Sequence, residues 1–122
     1  MIVEEINWLS IAAKEAEIVI SDGEFRCSAY SQPCCLNVGD QLTEPLHIFG
    51  LKAASLANFD VMGAWKIGGS GTLAQRIHAK VQSIKDRSLL VGNIQLVTDD
   101  PLPGGIVDGD MVALECARID AW

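Results

Sequence analysis

Four cysteines and two histidines are the residues of this chain best suited to metal or thiol chemistry. Cys34 and Cys35 are adjacent in the segment SQPCCLNVGD, Cys27 lies just upstream, and Cys116 lies near the C-terminus. A tetrahedral zinc site usually takes two ligands from a tight turn, with about two to four residues between them. Neighbouring residues of an extended segment point in opposite directions, so Cys34 and Cys35 are poorly placed to bind one metal ion.

Buried thiols are the interpretation that this pattern favours. Cys27 and Cys116 fall on the apolar phase of two predicted strands, where cysteine is commonly buried. At most one of Cys34 and Cys35 can join them inside, and only the more exposed one is a candidate for reactivity. A redox-sensing thiol stays open, and no motif indicates a cofactor. A metal site also stays open, with ligands drawn from Cys27, Cys34, Cys35, His47 and His78.

A second group of residues places positive charge on one predicted strand. Strand periodicity puts Arg76, His78 and Lys80 side by side on one face. Trp65 and Lys66 lie just across a glycine loop from them. An anionic ligand or single-stranded nucleic acid can use such a surface, because bases stack on aromatic rings and phosphates pair with Arg and Lys. The alternative is the solvated outer face of a β-hairpin, which needs no ligand.

The remaining motifs indicate turns rather than chemistry. The run GGSGT at 68–72 lacks both the lysine and the following helix of a phosphate-binding loop. The acidic residues of 99–110 lack the alternating spacing of a calcium loop, and Asp, Pro and Gly are the usual turn formers. The chain has no GxSxG elbow and no HExxH pair. We therefore expect a protein that is not an enzyme.

Length and composition bound the fold class. The chain has 122 residues, 49% of them hydrophobic, and a mean hydropathy of +0.25. These values indicate one globular domain over residues 1–122 that needs no disulfide or metal ion to fold. No apolar run approaches the roughly 20 residues of a membrane helix. The acidic start MIVEE indicates no secretory signal, so we expect a cytoplasmic protein with free thiols and no membrane association.

The net charge of −7 opposes general nucleic-acid binding, because attraction to phosphate needs clustered Lys and Arg. The charge is also uneven. Residues 61–98 hold five basic side chains and one acid, a net charge of +4, whereas the rest of the chain holds four basic and 15 acidic side chains, a net charge of −11. A polarised molecule of this kind can steer a charged partner or pair with its own copies.

Alternating apolar residues predict β-strands along most of the chain. Asp22-Gly23 between two alternating runs predicts a hairpin with a tight turn. LKAASLAN at 51–58 is the one helix candidate. The segment 99–109, rich in Asp, Pro and Gly, predicts a loop. The predicted strands are 3–11, 17–21, 24–30, 41–49, 64–67, 73–84, 89–97 and 111–119.

Six to eight short strands with regular turn signals predict an all-β fold. We expect a small single-domain β-barrel, either OB-like (of the oligonucleotide-binding type) or Greek-key, with at most one short helix near residues 51–58. A β-sandwich is the alternative architecture. Neither architecture by itself licenses a function.

The function that these observations favour is a small non-enzymatic binding or protein-interaction module. Pro45 interrupts a predicted edge strand, and such an edge can pair with a second copy of the chain or with another protein. Trp122 is costly to leave in water, so we expect it to pack on the barrel or on a partner chain. Two alternative functions stay open: an anion- or single-stranded-nucleic-acid-binding barrel that uses the face of Arg76, His78 and Lys80, and a thiol or metal protein.

Overall fold

Nine β-strands and no helix make up the part of the protein that the computed structural model describes, which is residues 1–57, 61–69 and 71–121. The all-β prediction is confirmed. The strands are β1 (Ile2–Ser10), β2 (Glu15–Ser21), β3 (Arg26–Ser31), β4 (Leu46–Leu56), β5 (Gly63–Lys66), β6 (Gln75–Ser83), β7 (Ser88–Val91), β8 (Ile94–Thr98) and β9 (Met111–Asp120).

Five of the strands close into a barrel, in the order β4–β8–β7–β6–β9 and back to β4. The β4–β8 pair is parallel and the other four pairs are antiparallel. Because the ring is closed, each of its strands has a hydrogen-bonding neighbour on both sides, and the exposed edges of an open sheet are absent. The barrel prediction is therefore confirmed.

The other four strands extend the barrel. β1, β2 and β3 form an antiparallel sheet that joins β9 where Tyr30 pairs with Asp120 in parallel register. β5 pairs with the first half of β6. The buried side chain of Gln75 donates a hydrogen bond of 2.7 Å to the carbonyl oxygen of Ser28, which links β6 to β3. We call β1–β3 the added sheet.

The interior follows the alternation of the strands. Ile77, Ala79 and Val81 point into the core from β6, while the residues between them face outward. Val112, Leu114 and Cys116 do the same from β9, as the sequence predicts. One continuous apolar core results, and it also includes Ile18, Ile20, Leu46, Ile48, Leu89, Val91, Ile94, Leu96 and Ile119.

β4 and β9 lie in close contact at Gly50, where the alternation of the strands is interrupted. Ile48 and Leu51 both face the core although they are three residues apart, and so do Cys116 and Ile119 on the neighbouring strand. Gly50 has a φ of +69°, and a Cβ atom there would lie 2.7 Å from the Cβ atom of Ala117. Only glycine allows both this backbone angle and this approach, so the close contact of the two strands depends on it.

The one helix candidate, at residues 51–58, does not form a helix over its described residues. Residues 51–56 continue β4 and pair with β9, and residue 58 lies outside the described part of the chain. A register shift at Lys52 places Leu51 and Ala54 on the same core-facing side. A bulge therefore produces the i, i+3 apolar spacing that resembles one face of a helix.

The hairpin predicted at Asp22-Gly23 forms, but its loop has four residues rather than two, because Ser21 pairs with Arg26. The carboxylate of Asp22 accepts N–H hydrogen bonds from Glu24 (2.8 Å) and Phe25 (2.7 Å) within the loop. Its other oxygen accepts one from Asn93 (2.7 Å) in a different turn. Burial alone raises the pKa of Asp22, but these backbone donors outweigh it and the net pKa is lowered.

The strand predicted over 89–97 is two strands. Gly92 and Asn93 form a two-residue turn between β7 and β8, and Gly92 has a φ of +59°. Glycine at the first central position is what a turn of type II′ requires. A Cβ atom at Gly92 would lie 2.5 Å from the Asp22 carboxylate, so the two loops pack closely.

Candidate functional site

The outer face of β6 carries the residues that the sequence singled out. Arg76, His78 and Lys80 point away from the core, because they alternate with the buried residues of the same strand. β6 lies between β5 and β9, so its outer face continues onto both neighbours.

Cross-strand register arranges the neighbouring side chains into two rows. The first row runs across the sheet as Ser55, Ala113, His78 and Gly63, and the second as Ala53, Glu115, Arg76 and Trp65. Directly opposed side chains in a sheet lie close enough to contact one another. The two rows therefore form one continuous surface over β4, β9, β6 and β5.

This surface is concave rather than flat. Ala53, Ser55 and Ala113 are small, and the longer side chains beside them stand above them. Together they enclose a volume of about 380 Å³ that is open to solvent and is lined by Ala53, Ser55, Arg76, His78, Ala113, Leu114 and Glu115. We call this depression the outer groove.

Trp65 stands beside the outer groove in a fixed position. Its ring lies over Gly63, where an added Cβ atom would come within 2.7 Å of Cζ2. Its edge meets the ring of His78, with centroids 4.8 Å apart and planes at 73°. Trp65 is nevertheless 43% exposed. The glycine and the histidine therefore hold an indole ring that can still contact a ligand.

The basic side chains of the predicted cluster do not form one positively charged surface. Arg76 forms an ion pair of 2.6 Å with Glu115, which cancels its charge within the outer groove. Lys66 turns away and pairs with Glu17 of the added sheet. Lys80 is exposed but does not line the outer groove. Of the five predicted residues, Arg76 and His78 line the outer groove and Trp65 contacts His78 beside it, whereas Lys66 and Lys80 do not line it.

A second cleft separates β5 from the added sheet. It has a volume of about 460 Å³ and is lined by Glu5, Val19, Arg26, Cys27, Ser28, Ala64, Trp65, Lys66 and Gln75. Lys66 is paired with Glu17, and Arg26 with Glu4 at 2.6 Å. The two basic side chains of this cleft are therefore already paired with neighbouring acidic residues.

Sequence reasoning missed a cluster around Arg118. The guanidinium of this β9 residue lies 4.7 Å from the ring centroid of Tyr30 and 4.8 Å from that of Phe49. It also donates hydrogen bonds of 2.7 and 3.3 Å to the buried carboxylate of Asp120. The Tyr30 hydroxyl donates to Glu15 at 2.6 Å, and this bond raises the pKa of the phenol. The cluster therefore brings together side chains of β3, β4 and β9 where the added sheet meets the barrel.

The cysteines lie where an extended chain would put them. Cys27, Cys34 and Cys116 are buried and Cys35 is exposed, so the two adjacent thiols point in opposite directions. Burial raises the pKa of Cys27 to about 12, with a contribution from the neighbouring Cys116 thiol. Burial likewise raises the pKa of Cys116 to about 11. Neither thiol is activated, because reactivity needs the thiolate and access.

The metal alternative is not supported by the geometry. Within residues 1–57, 61–69 and 71–121, no three His, Cys, Asp or Glu side chains are grouped so that they could hold a metal ion. Cys27, Cys34, Cys35 and His47 therefore do not form the ligand set that the sequence left open. Cys27 and Cys34 are buried in the core, while Cys35 is exposed.

Trp122, the predicted packing residue at the C-terminus, lies outside the described residues. In the described ranges, no helix is long and apolar enough to cross a membrane. No family model, curated protein or solved structure matches the chain.

Proposed function

We propose that this protein is a small non-enzymatic interaction module that binds another protein through the tip of the β1–β2 hairpin. The observation that carries the proposal is the exposure of three large apolar side chains there. Trp8 is 46% exposed, Leu9 51% and Ile11 77%. Three large apolar side chains exposed within four residues of one hairpin tip are unusual and favour a protein-binding site, whereas single exposed apolar residues are ordinary.

The hairpin also offers a strand edge. β1 is the terminal strand of the sheet, and among the described residues its outer side is covered only at residues 1–3, where Met1 and Val3 form main-chain hydrogen bonds with Gly39, Asp40 and Leu42. An uncovered edge can accept an extended segment of another chain by main-chain hydrogen bonds. Register shifts at Glu4 and Leu9 leave Glu5–Trp8 as the regular stretch of that edge.

The energies indicate that the edge and the apolar tip act together. Burying the exposed parts of Leu9 and Ile11 is worth about 3 kcal/mol, since complete burial of such a side chain contributes about 1.5–3 kcal/mol. The exposed half of Trp8, about 100 Å², adds about 2.5 kcal/mol. Association itself costs at least ~4 kcal/mol, so the tip alone gives weak binding and strand pairing must supply the rest.

The charge of the chain favours a basic partner over a second copy. The net charge is −7, and Glu4 and Glu5 lie on the edge strand itself. Like-charged copies repel each other, whereas a basic protein is attracted. We infer a cytoplasmic location, since cysteines kept as free thiols are typical of a reducing compartment.

Affinity capture from cells that encode the protein tests the proposal. The baits are the wild type, a Leu9→Asp/Ile11→Asp double variant, and a Val107→Asp control. Val107 lies in the 99–110 loop and is 59% exposed, so the control introduces an aspartate at an exposed apolar position away from the hairpin. We expect a basic protein to be retained by the wild type and by the Val107 variant and to be lost from the double variant. Equal retention by all three baits refutes the hairpin as the binding site.

Light scattering after size-exclusion chromatography tests the choice of partner. We expect the purified wild type to be monomeric at low salt, because repulsion between its copies is then least screened. A stable dimer that the double variant abolishes contradicts the basic partner and identifies a second copy as the occupant of the hairpin.

A further inference from the structure

The outer groove lies on different strands from the β1–β2 hairpin and is independent of the protein-binding function. We propose that it binds a neutral polyhydroxylated ligand, an oligosaccharide, with one sugar ring stacked on Trp65 and hydroxyl groups held by Arg76 and Glu115. The proposal goes beyond protein interaction because it assigns a small-molecule site to the barrel.

Trp65 supplies the stacking surface. The C–H groups on one face of a sugar ring carry partial positive charge, which matches the negative face of an indole ring. The contact of Trp65 with Gly63 and its edge-on contact with His78 fix the ring before a ligand arrives. An aromatic side chain that is already ordered loses little entropy on binding.

Arg76 and Glu115 supply the polar contacts. A guanidinium presents several donors in one plane, and a carboxylate presents two acceptor oxygens, so the pair can bind adjacent hydroxyl groups. Both side chains are accessible, with exposed fractions of 53% and 33%. Their charges cancel at a separation of 2.6 Å. A neutral ligand therefore gains hydrogen bonds here without a charge being left unpaired.

Nucleic acid and peptide fit this groove less well. Phosphates would meet a chain of net charge −7 whose Arg76 is already paired. An extended peptide would need free main-chain groups for strand pairing. The central strand of the groove is β9, and its main-chain groups already pair with β4 on one side and with β6 on the other. The groove therefore recognises its ligand through side chains, which can form hydrogen bonds with hydroxyl groups.

The dimensions agree with a bound sugar. The groove volume of about 380 Å³ falls within the range of about 300–1,000 Å³ for small-molecule sites. Its floor of Ala53, Ser55 and Ala113 leaves room for a ring, and the Ser55 hydroxyl adds one donor and acceptor.

Nuclear magnetic resonance titration tests the proposal with three neutral probes: cellohexaose, maltohexaose and chitohexaose. Each is raised to about 10 mM, tenfold above the ~1 mM dissociation constant expected of a shallow site. We expect at least one probe to shift the amide signals of Ala53, Ala113 and Glu115. Trp65→Ala should weaken that binding at least tenfold, and Trp8→Ala, which removes a similarly exposed indole, should leave it unchanged.

Arg76→Gln is the second variant, and it keeps the test decisive if Trp65→Ala does not fold. We expect it also to weaken binding severalfold while circular dichroism shows the native sheet. Three outcomes overturn the proposal: no probe shifts the groove signals, both groove variants bind like the wild type, or a 12-nucleotide poly(dT) binds the groove with an affinity that falls as salt rises.

Discussion

Arg118→Ala should weaken the attachment of the added sheet to the barrel. The guanidinium lies within 4.7 Å of the Tyr30 ring centroid on β3 and 4.8 Å of the Phe49 ring centroid on β4. It is also the hydrogen-bond partner of the Asp120 carboxylate, whose side chain is only 10% exposed. Removing it takes away two aromatic contacts and leaves a buried carboxylate short of a donor.

The cost follows from the partial burial of Arg118. A cation–π contact is worth about 0.5–1 kcal/mol at an exposed site and about 2 kcal/mol when desolvated. The Arg118 side chain is 36% exposed, so each of its two contacts is worth about 1 kcal/mol. Losing a donor to a buried acceptor adds about 1–2 kcal/mol. We expect the free energy of unfolding to fall by about 3 kcal/mol and the midpoint temperature by about 10 °C.

Urea denaturation followed by far-ultraviolet circular dichroism measures this loss. Arg118→Lys keeps the charge but loses the planar fork, so we expect it to cost about 1–2 kcal/mol. Arg26→Ala is the matched control, because the Arg26–Glu4 pair is a surface pair whose arginine is 70% exposed and whose loss should cost at most ~0.5 kcal/mol. If Arg118→Ala is no more destabilising than Arg26→Ala, the cluster does not hold the two parts together.

Three further outcomes are expected. A thiol reagent at pH 8 should modify Cys35 rapidly in the native protein and the other three cysteines only after unfolding, since burial holds the pKa of Cys27 near 12; fast loss of two or more thiols contradicts the buried arrangement. Because the pKa of Asp22 is lowered in the fold, its carboxylate stabilises the protein above the ordinary pKa of 3.8 and loses this effect as the pH falls through the folded value. Asp22→Asn should therefore be less stable than the wild type at pH 7, with a difference that shrinks below about pH 4 in acid titrations of unfolding, and a constant difference would count against the N–H contacts. Gly92→Ala should lower the free energy of unfolding in urea by at least ~2 kcal/mol, because it adds a steric clash to a backbone penalty of about 1 kcal/mol. Gly105 also has a positive φ but has open space around it, so Gly105→Ala should cost only the backbone penalty. Equal losses would refute the close approach of the two loops.

Local patterns predicted the parts of the fold that depend on neighbours in the chain. The alternation from Arg76 to Val81 assigns each side chain of β6 to its correct face. The same reasoning failed at Leu51 and Ala54, because a bulge is a property of two paired strands and one strand alone does not reveal it. It also missed the turn at Gly92, which is only two residues long and is flanked in the sequence by the apolar residues Val91 and Ile94.

The candidate sites depend on register between distant strands. The outer groove exists because Ala113 and Glu115 lie opposite His78 and Arg76, and nothing within either strand indicates that pairing. The Arg118 cluster brings together residues from three separate regions of the chain. Composition indicated that the net charge of −7 opposes nucleic-acid binding, but it did not reveal that Arg76 and Lys66 form ion pairs with acidic residues of other strands.

The position of β9 in the ring sets the order in which the barrel is completed during synthesis. β9 follows every other strand in the chain, yet it closes the barrel between β4 and β6 and also receives β3. Before β9 emerges, the β1–β2–β3 hairpins and the β6–β7–β8 meander can already form, because their contacts are local in sequence. The edges of β4 and β6 that pair with β9 stay exposed until then, and exposed strand edges of this kind favour aggregation.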